Sequence, residues 1–170
     1  MTSIKRFSFW EVDYIGLLPL TKYGNKYIII FIDMFSKWVE AEAIPDITAI
    51  TAANSLIKCV VSRYGIPVYL HSDKGTQFES EIFQNHCETL NIKKSSTIQY
   101  HPMGNGGVER VNRSLKLILR HYVLPERNDW DRIIPLALLA IRPFPHTSTE
   151  YSQALIIYGS EIYLPVDFIT

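Results

Sequence analysis

Three acids stand in settings that suit metal-assisted chemistry. Asp73 lies in the run His71-Ser72-Asp73-Lys74-Gly75-Thr76-Gln77-Phe78, and Glu109 follows after thirty-five intervening residues. Asp13 lies upstream in Trp10-Glu11-Val12-Asp13-Tyr14-Ile15-Gly16. Carboxylates are hard oxygen donors, and a set without Cys or His suits Mg²⁺ or Mn²⁺ better than zinc. Two such ions about 4 Å apart activate an attacking oxygen and stabilise a leaving one. Without metal, converging carboxylates repel, so stability alone is a poor reason to gather them. The spacing by itself is weak, because 17 acids in 170 residues supply a pair at any chosen separation. Asp13 says more: aspartate is depleted in strand interiors, and Val12, Tyr14 and Ile15 flank it.

The elements that must position these acids can be read from periodicity. Residues 9 to 18 read as a strand, and the apolar run 26 to 32 as a central strand buried on both faces. Residues 37 to 43 alternate, with Trp38, Glu40 and Glu42 against Val39, Ala41 and Ala43, which predicts a third strand antiparallel to its neighbour. The period then changes. Ala53, Leu56, Ile57, Val60, Val61 and Tyr64 share one helical face, and Gly65 with Pro67 stops that helix. A short strand, 67 to 71, delivers Asp73 at its C-terminal end. A helix with Ser80 as N-cap runs to Leu90, and 92 to 98 reads as a last strand. A loop, 99 to 107, leads to a long helix over 108 to 123. Another helix is expected over 130 to 141 despite Pro135, and a short one over 152 to 158. The order predicts an α/β fold with a five-stranded mixed sheet, three antiparallel strands then two more, flanked by helices.

Composition bounds the possibilities. The length suits one domain with a proper core. Seventeen basic and 17 acidic side chains cancel, so a nucleic-acid surface would have to come from local clustering. Cys59 and Cys87 have no ligand-like spacing and read as buried thiols rather than a zinc site. The longest apolar run, 27 to 32, is too short to span a bilayer, and no signal peptide is expected.

Charge does cluster on the predicted helix 108 to 123. Val108, Val111, Leu115, Ile118, Leu119 and Tyr122 form an apolar stripe, whereas Glu109, Arg113, Lys116 and Arg120 form a separate one. Glu109 therefore heads a ladder of three cations. A charge run is ordinarily a solvated face. Here a lone acid at the head, in the first turn where a carboxylate suits the helix dipole, favours a phosphate-tracking surface.

These residues, taken together, are recognisable. Trp10-x-x-Asp13-x-x-Gly16, Asp33-x-Phe35-Ser36-Lys37-Trp38, Ser72-Asp73-Lys74-Gly75-Thr76-Gln77-Phe78 and His101-Pro102-x-Gly104-Asn105-Gly106-x-Val108-Glu109-Arg110-x-Asn112-Arg113 resemble the integrase catalytic core of gypsy-type LTR retrotransposons, related to retroviral integrase. The resemblance runs from about Phe7 to Asp167. It implies an RNase H-like fold in which Asp13, Asp73 and Glu109 are catalytic and hold two Mg²⁺ or Mn²⁺ ions. The implied reaction is 3′-end processing of element DNA, then strand transfer into a target: a water and later a DNA 3′-hydroxyl attack a phosphodiester in line. The implied partners are element ends, target DNA and further copies of the chain, acting in the nucleus without a membrane. Tyr100, Asn105, Asn112, Arg113 and Lys116 match DNA-contacting positions of retroviral relatives, and Arg120 completes the ladder. Tyr100 reads equally well as a packing aromatic.

The chain departs from the family pattern in several places. Leu17 stands where Pro is usual, Met103 where Gln is usual, Gly107 where a larger residue is common and Glu150 where Gly is usual. No His/His/Cys/Cys zinc module before Trp10 and no basic or chromatin-reading domain after Asp167 is expected, leaving 7 to 167 as the core. A second reading is a domesticated or degenerate remnant that binds nucleic acid or a protein partner without catalysis.

Overall fold

The computed structural model describes residues 5–96, 113, 117, 128–146 and 149–164. Three strands come first: β1 (Phe9–Ile15), β2 (Tyr27–Asp33) and β3 (Val39–Ile44). They pair as an antiparallel meander, with Asp13 opposite Ile30 and Ile30 opposite Ala41. β4 (Tyr69–Ser72) then pairs with β1 in parallel, and β5 (Lys93–Ser95) with β4 in parallel. The order across the five-stranded sheet is β3-β2-β1-β4-β5, so β1, which carries Asp13, is central. This is the mixed sheet expected from the pattern of elements.

Both faces are covered, which explains why β2 is apolar from Tyr27 to Ile32. One face carries Trp10, Val12, Ile29, Phe31 and Leu70 under α1 (Ala49–Leu56), α2 (Ser62–Tyr64), α3 (Thr76–Glu79) and α4 (Glu81–Thr89). The other carries Ile15, Ile28, Ile30, Ile32 and Val39 under Trp130 and α5 (Ile134–Ile141). A last short helix, α6 (Gln153–Tyr158), brings Tyr158 edge-on to Trp38. All three tryptophans are buried, and each indole N–H finds an acceptor: Phe7 O for Trp10, Glu40 and the Tyr64 hydroxyl for Trp38, Pro19 O for Trp130.

Local chemistry sets the element boundaries. Thr48, Ser80 and Ser152 cap α1, α4 and α6, each accepting a backbone N–H with its hydroxyl. Gly159 closes α6 at φ +74°, the left-handed conformation that favours glycine. Several bounds differ from the sequence expectation. β1 ends at Ile15, because the following loop turns back onto other parts of the chain. A π-helical turn, Ile57–Val61, joins α1 to α2; it turns Cys59 and Val60 inward and has no signature in a 3.6-residue pattern. The expected 130–141 helix divides into a 3₁₀ turn, Trp130–Arg132, and α5, because Pro135 fits only the first turn. α3 was not expected from the sequence pattern. The long helix expected over 108–123 lies outside the described residues except for Arg113 and Leu117, which are helical and exposed.

The alternation in β3 has an unexpected outcome. Glu40 and Glu42 face the α1–α2 layer, and Glu40 is 3% exposed. Its carboxylate accepts from Arg63 at 2.8 Å, Arg142 at 3.1 Å, Trp38 Nε1 at 2.9 Å and the Tyr64 hydroxyl. Lys58 pairs with Glu42. Glu40 is a buried charge with partners, as burial of a carboxylate requires, and Glu42 is half-buried.

Candidate functional site

Asp13 and Asp73 reach the same place by different routes. β1 and β4 run parallel, with Phe9 beside Tyr69, Trp10 beside Leu70, Glu11 beside His71 and Val12 beside Ser72. Asp13 and Asp73 each follow the last of these pairs by one residue, Asp73 lying just past the end of β4. Adjacent strands lie roughly 4.8 Å apart, so the two acids are neighbours across the strand boundary. Strand alternation puts Asp13 on the face shared by Glu11 and Ile15, at the end where that face turns from apolar to polar.

Each carboxylate is held by backbone. Asp13 Oδ1 accepts from Tyr14 N at 2.7 Å. Asp73 Oδ1 accepts from Gly75 N at 2.9 Å, an Asx turn that fixes the carboxylate just past the strand end. Gly75 has an ordinary φ of −58°, so any preference for glycine there comes from space and not from backbone conformation. A Cβ at this position would lie 2.9 Å from Asp73 Oδ1 and closer still to the Gln77 side chain.

The surroundings of the pair are strongly polarised. Burial raises Glu11 from 4.5 to about 7; Asp13 pushes it further up, and Lys37 opposes. Tyr14 lies on the opposite face, stacked on Phe78 at 5.0 Å and 12°. Its hydroxyl is buried with no hydrogen-bond partner among the described residues. Burial, then the negative charges of Asp73, Asp46 and Asp13, hold that phenol far above its ordinary range. His71 Nδ1 meets Ser95 Oγ at 3.1 Å, so a row of polar side chains (Glu11, His71, Ser95) crosses β1, β4 and β5, two residues before Asp13 and Asp73 on β1 and β4. Glu11 and His71 did not emerge from sequence reasoning. The signal was present, since each precedes a site acid by two residues and a strand returns to one face every second residue.

Asp33 is a different kind of acid. It is fully buried, and accepts from Phe7 N at 3.0 Å, Ser36 N at 2.9 Å and Ser36 Oγ at 2.6 Å. Burial raises its pKa while these bonds oppose the rise. The Asp33-x-Phe35-Ser36-Lys37-Trp38 motif therefore builds the β2–β3 turn rather than a reaction site.

Among the expected site residues, Asp13 lies in β1 and Asp73 directly follows β4, each one residue past the Val12–Ser72 pair. Glu109, Tyr100, Asn105, Asn112, Lys116 and Arg120 lie outside the described residues. Arg113 is helical and exposed, and Leu117, one turn later, is 57% exposed. Among the described residues no cluster of three or more metal-ligating side chains occurs, and the acid pair supplies two hard donors. Two adjacent carboxylates with backbone-fixed oxygens fit a divalent cation of the Mg²⁺ or Mn²⁺ kind. The described residues include no helix long and apolar enough to cross a membrane.

Comparison with known proteins bears on the same residues. The family described as "Integrase core domain" matches residues 5–102, more than half of the chain. The Gag-Pol polyprotein of feline leukemia virus is 39% identical over 154 residues, covering 89% of this chain and 9% of the polyprotein. The chain thus spans about a tenth of the length of the curated relatives it matches. Among solved structures, the catalytic core domain of BIV integrase superposes with a TM-score of 0.70 at 29% identity, covering 88% of this chain and 92% of that one. The HTLV-2 integrase catalytic core domain, solved in complex with magnesium in a trimeric form, gives 0.68 at 24% identity and coverages of 87% and 94%; at that identity the likeness is one of fold.

Proposed function

This chain belongs to the integrase core domain family, and on that premise we propose that it joins DNA by metal-dependent polynucleotidyl transfer at Asp13, Asp73 and Glu109. The observation that supports this reading is the parallel β1–β4 register, whose last pair, Val12 with Ser72, precedes Asp13 and Asp73 by one residue each. Nothing in the packing requires two neighbouring carboxylates there, and their repulsion is a cost until cations bind.

Asp13, Asp73 and Glu109 are the residues that would hold the divalent ions. Bound there, such ions supply activation of an attacking oxygen and relief of charge on the leaving one. The chain's own part is positioning. Tyr14 N–H and Gly75 N–H each fix one carboxylate oxygen, so the donors do not have to be ordered when substrate arrives. Arg113, with Lys116 and Arg120 that the sequence periodicity groups with it, holds backbone phosphates, and Tyr100, Asn105 and Asn112 contact the element end. The reaction is 3′-end processing followed by strand transfer into target DNA.

The motifs resemble those of gypsy-type LTR elements, while the similar polyproteins are retroviral, which favours a retroviral-type core. Residues 7–167 are taken as that core. It acts in the nucleus, where target DNA lies, and as a homo-oligomer, a reading supported by the trimeric HTLV-2 form.

The test is a strand-transfer or reversal assay on branched DNA with Mg²⁺ or Mn²⁺, comparing the chain with Asp73→Asn and Asp13→Asn. Loss of product in both variants with DNA binding retained is expected. Equal activity in the variants and the parent chain would sink the catalytic assignment.

A further inference from the structure

The loop from Gly16 to Lys26 joins β1 to β2 at the sheet edge toward which β1 and β4 point, and so lies at the same end as the acid pair. Gly16 is three residues beyond Asp13, about 10 Å along an extended chain. The loop is built, not slack. Thr21, 4% exposed, accepts from Tyr23 N at 3.3 Å and Asn25 N at 3.1 Å with its hydroxyl. Leu18 N donates to Lys26 O at 2.8 Å, and Lys26 N to Ile44 O at 3.0 Å. Three bonds tie it to the start of the α5 layer: Lys22 N to Asn128 O, Asn25 Nδ2 to Asp131 Oδ2 and Trp130 Nε1 to Pro19 O. The loop therefore leans over the sheet face that carries Asp13.

What this rigid loop presents is unusual for a solvent-exposed turn. Tyr23 is 73% exposed and stands between Lys22 and Lys26, both exposed. Residues 16–26 contain no acid, so the loop carries two positive charges and no negative one. Neither lysine has an ion pair among the described residues. Asp46 senses the charge of Lys26, but its carboxylate is already engaged by Thr48 and Thr51. Thr21, by closing the turn, fixes where Tyr23 projects. An aromatic on a rigid platform between two unpaired cations matches what a nucleic-acid strand offers: flat bases and regularly spaced phosphates.

We propose that the 16–26 loop is a strand-binding ledge beside the acid pair, in which Lys22 and Lys26 hold backbone phosphates and Tyr23 stacks on an unpaired base of a DNA end. The proposal rests on the DNA-joining reading above and adds to it a contact surface outside the catalytic helix. Bases near an end unpair more easily than internal ones, so a stacking platform beside the acids selects the end over continuous duplex.

The ledge is tested with the whole chain by fluorescence anisotropy on two DNAs over a range of salt. One is a linear duplex with a single-stranded 3′ extension, the other a covalently closed relaxed circle. Lys22→Ala and Lys26→Ala should each reduce the slope of log affinity against log salt by roughly 0.7–0.9. Tyr23→Ala should weaken binding of the extended duplex by roughly five- to a hundredfold and leave the circle unchanged, with Tyr23→Phe restoring it. Equal weakening on both DNAs would overturn the assignment of Tyr23 to an unpaired base at a DNA end. Unchanged slopes and affinities in all variants would overturn the proposal, as would a change of sedimentation without change in DNA binding, which marks a self-association surface. None of the ledge variants touches the acids. Loss of chemistry in Asp73→Asn with intact ledge binding, or the reverse, therefore separates failure of this proposal from failure of the catalytic reading.

Discussion

Glu11 of β1 is the register partner of His71 of β4, and each stands two residues before an aspartate, Asp13 and Asp73. Burial and the charge of Asp13 raise its pKa from 4.5 to about 7. A raised pKa means that the folded state binds the proton more tightly than the unfolded one. The stability this contributes is fully present below about 4.5 and is lost as pH rises through about 7. Glu11→Gln removes the titration. In metal-free buffer its urea midpoint should match the parent chain near pH 4.5, and exceed it increasingly up to pH 7 and above. Parallel profiles would show that the proton on Glu11 does not distinguish folded from unfolded chain.

Gly75→Ala separates position from stability. Its φ of −58° suits any residue, but the added Cβ would lie 2.9 Å from Asp73 Oδ1. The strain falls on a site carboxylate at an exposed turn. Activity should drop by up to about a hundredfold, as small misplacements of reacting groups do. The thermal midpoint should hardly move. A large drop in melting temperature with proportionate activity would contradict this.

Asp33 should respond in the opposite sense. Asp33→Ala leaves two buried backbone donors, Phe7 N and Ser36 N, without their acceptor. Each orphaned donor costs about 1–3 kcal/mol, so equilibrium unfolding should show a loss of several kcal/mol. Metal titration of whatever remains folded should be unaltered. A metal-binding defect in a stable Asp33→Ala protein would mean that this acid belongs to the site.

The Glu40 cluster predicts an asymmetry between its two arginines. Arg142 is largely buried, bonds Glu40 and Val39 O, and lies over the Trp38 ring at 4.1 Å. Arg63 bonds the same carboxylate from a half-exposed position. Arg142→Ala should cost about 3–5 kcal/mol, as breaking a buried pair does. Arg63→Ala should cost about 1 kcal/mol or less. Equal losses by urea denaturation would refute the ranking.

Much of this was legible in the chain because each signal was local. The alternation in β3, the apolar run of β2 and the Ser caps identify elements that contact close neighbours in sequence. Asp13 was legible through incongruity, an acid among strand formers, and Cys59 and Cys87 as buried thiols. What escaped depends on pairs distant in sequence. The burial of Glu40 needs Arg142, a hundred residues away, and no periodicity announces that partner. The turn through Asp33 to Ser36 was legible, but the burial of Asp33 and its bond from Phe7 N, 26 residues away, were not. The tilt of the 16–26 loop depends on Asn128, Trp130 and Asp131, which only the fold brings near.

The parallel β1–β4 pairing also orders events in time. β1, β2 and β3 are joined by short connections and pair antiparallel, so the meander can form from local contacts. Asp73 reaches Asp13 only when β4 closes a loop of about sixty residues, a step that carries a larger chain-closure cost. The repulsion between the two carboxylates therefore acts late on the path to the folded chain. Cations that relieve it should slow unfolding while leaving the refolding rate nearly unchanged, which stopped-flow mixing with and without Mg²⁺ would register as a shift of one chevron arm alone. The protein would then be kinetically locked by the same ions that its site collects.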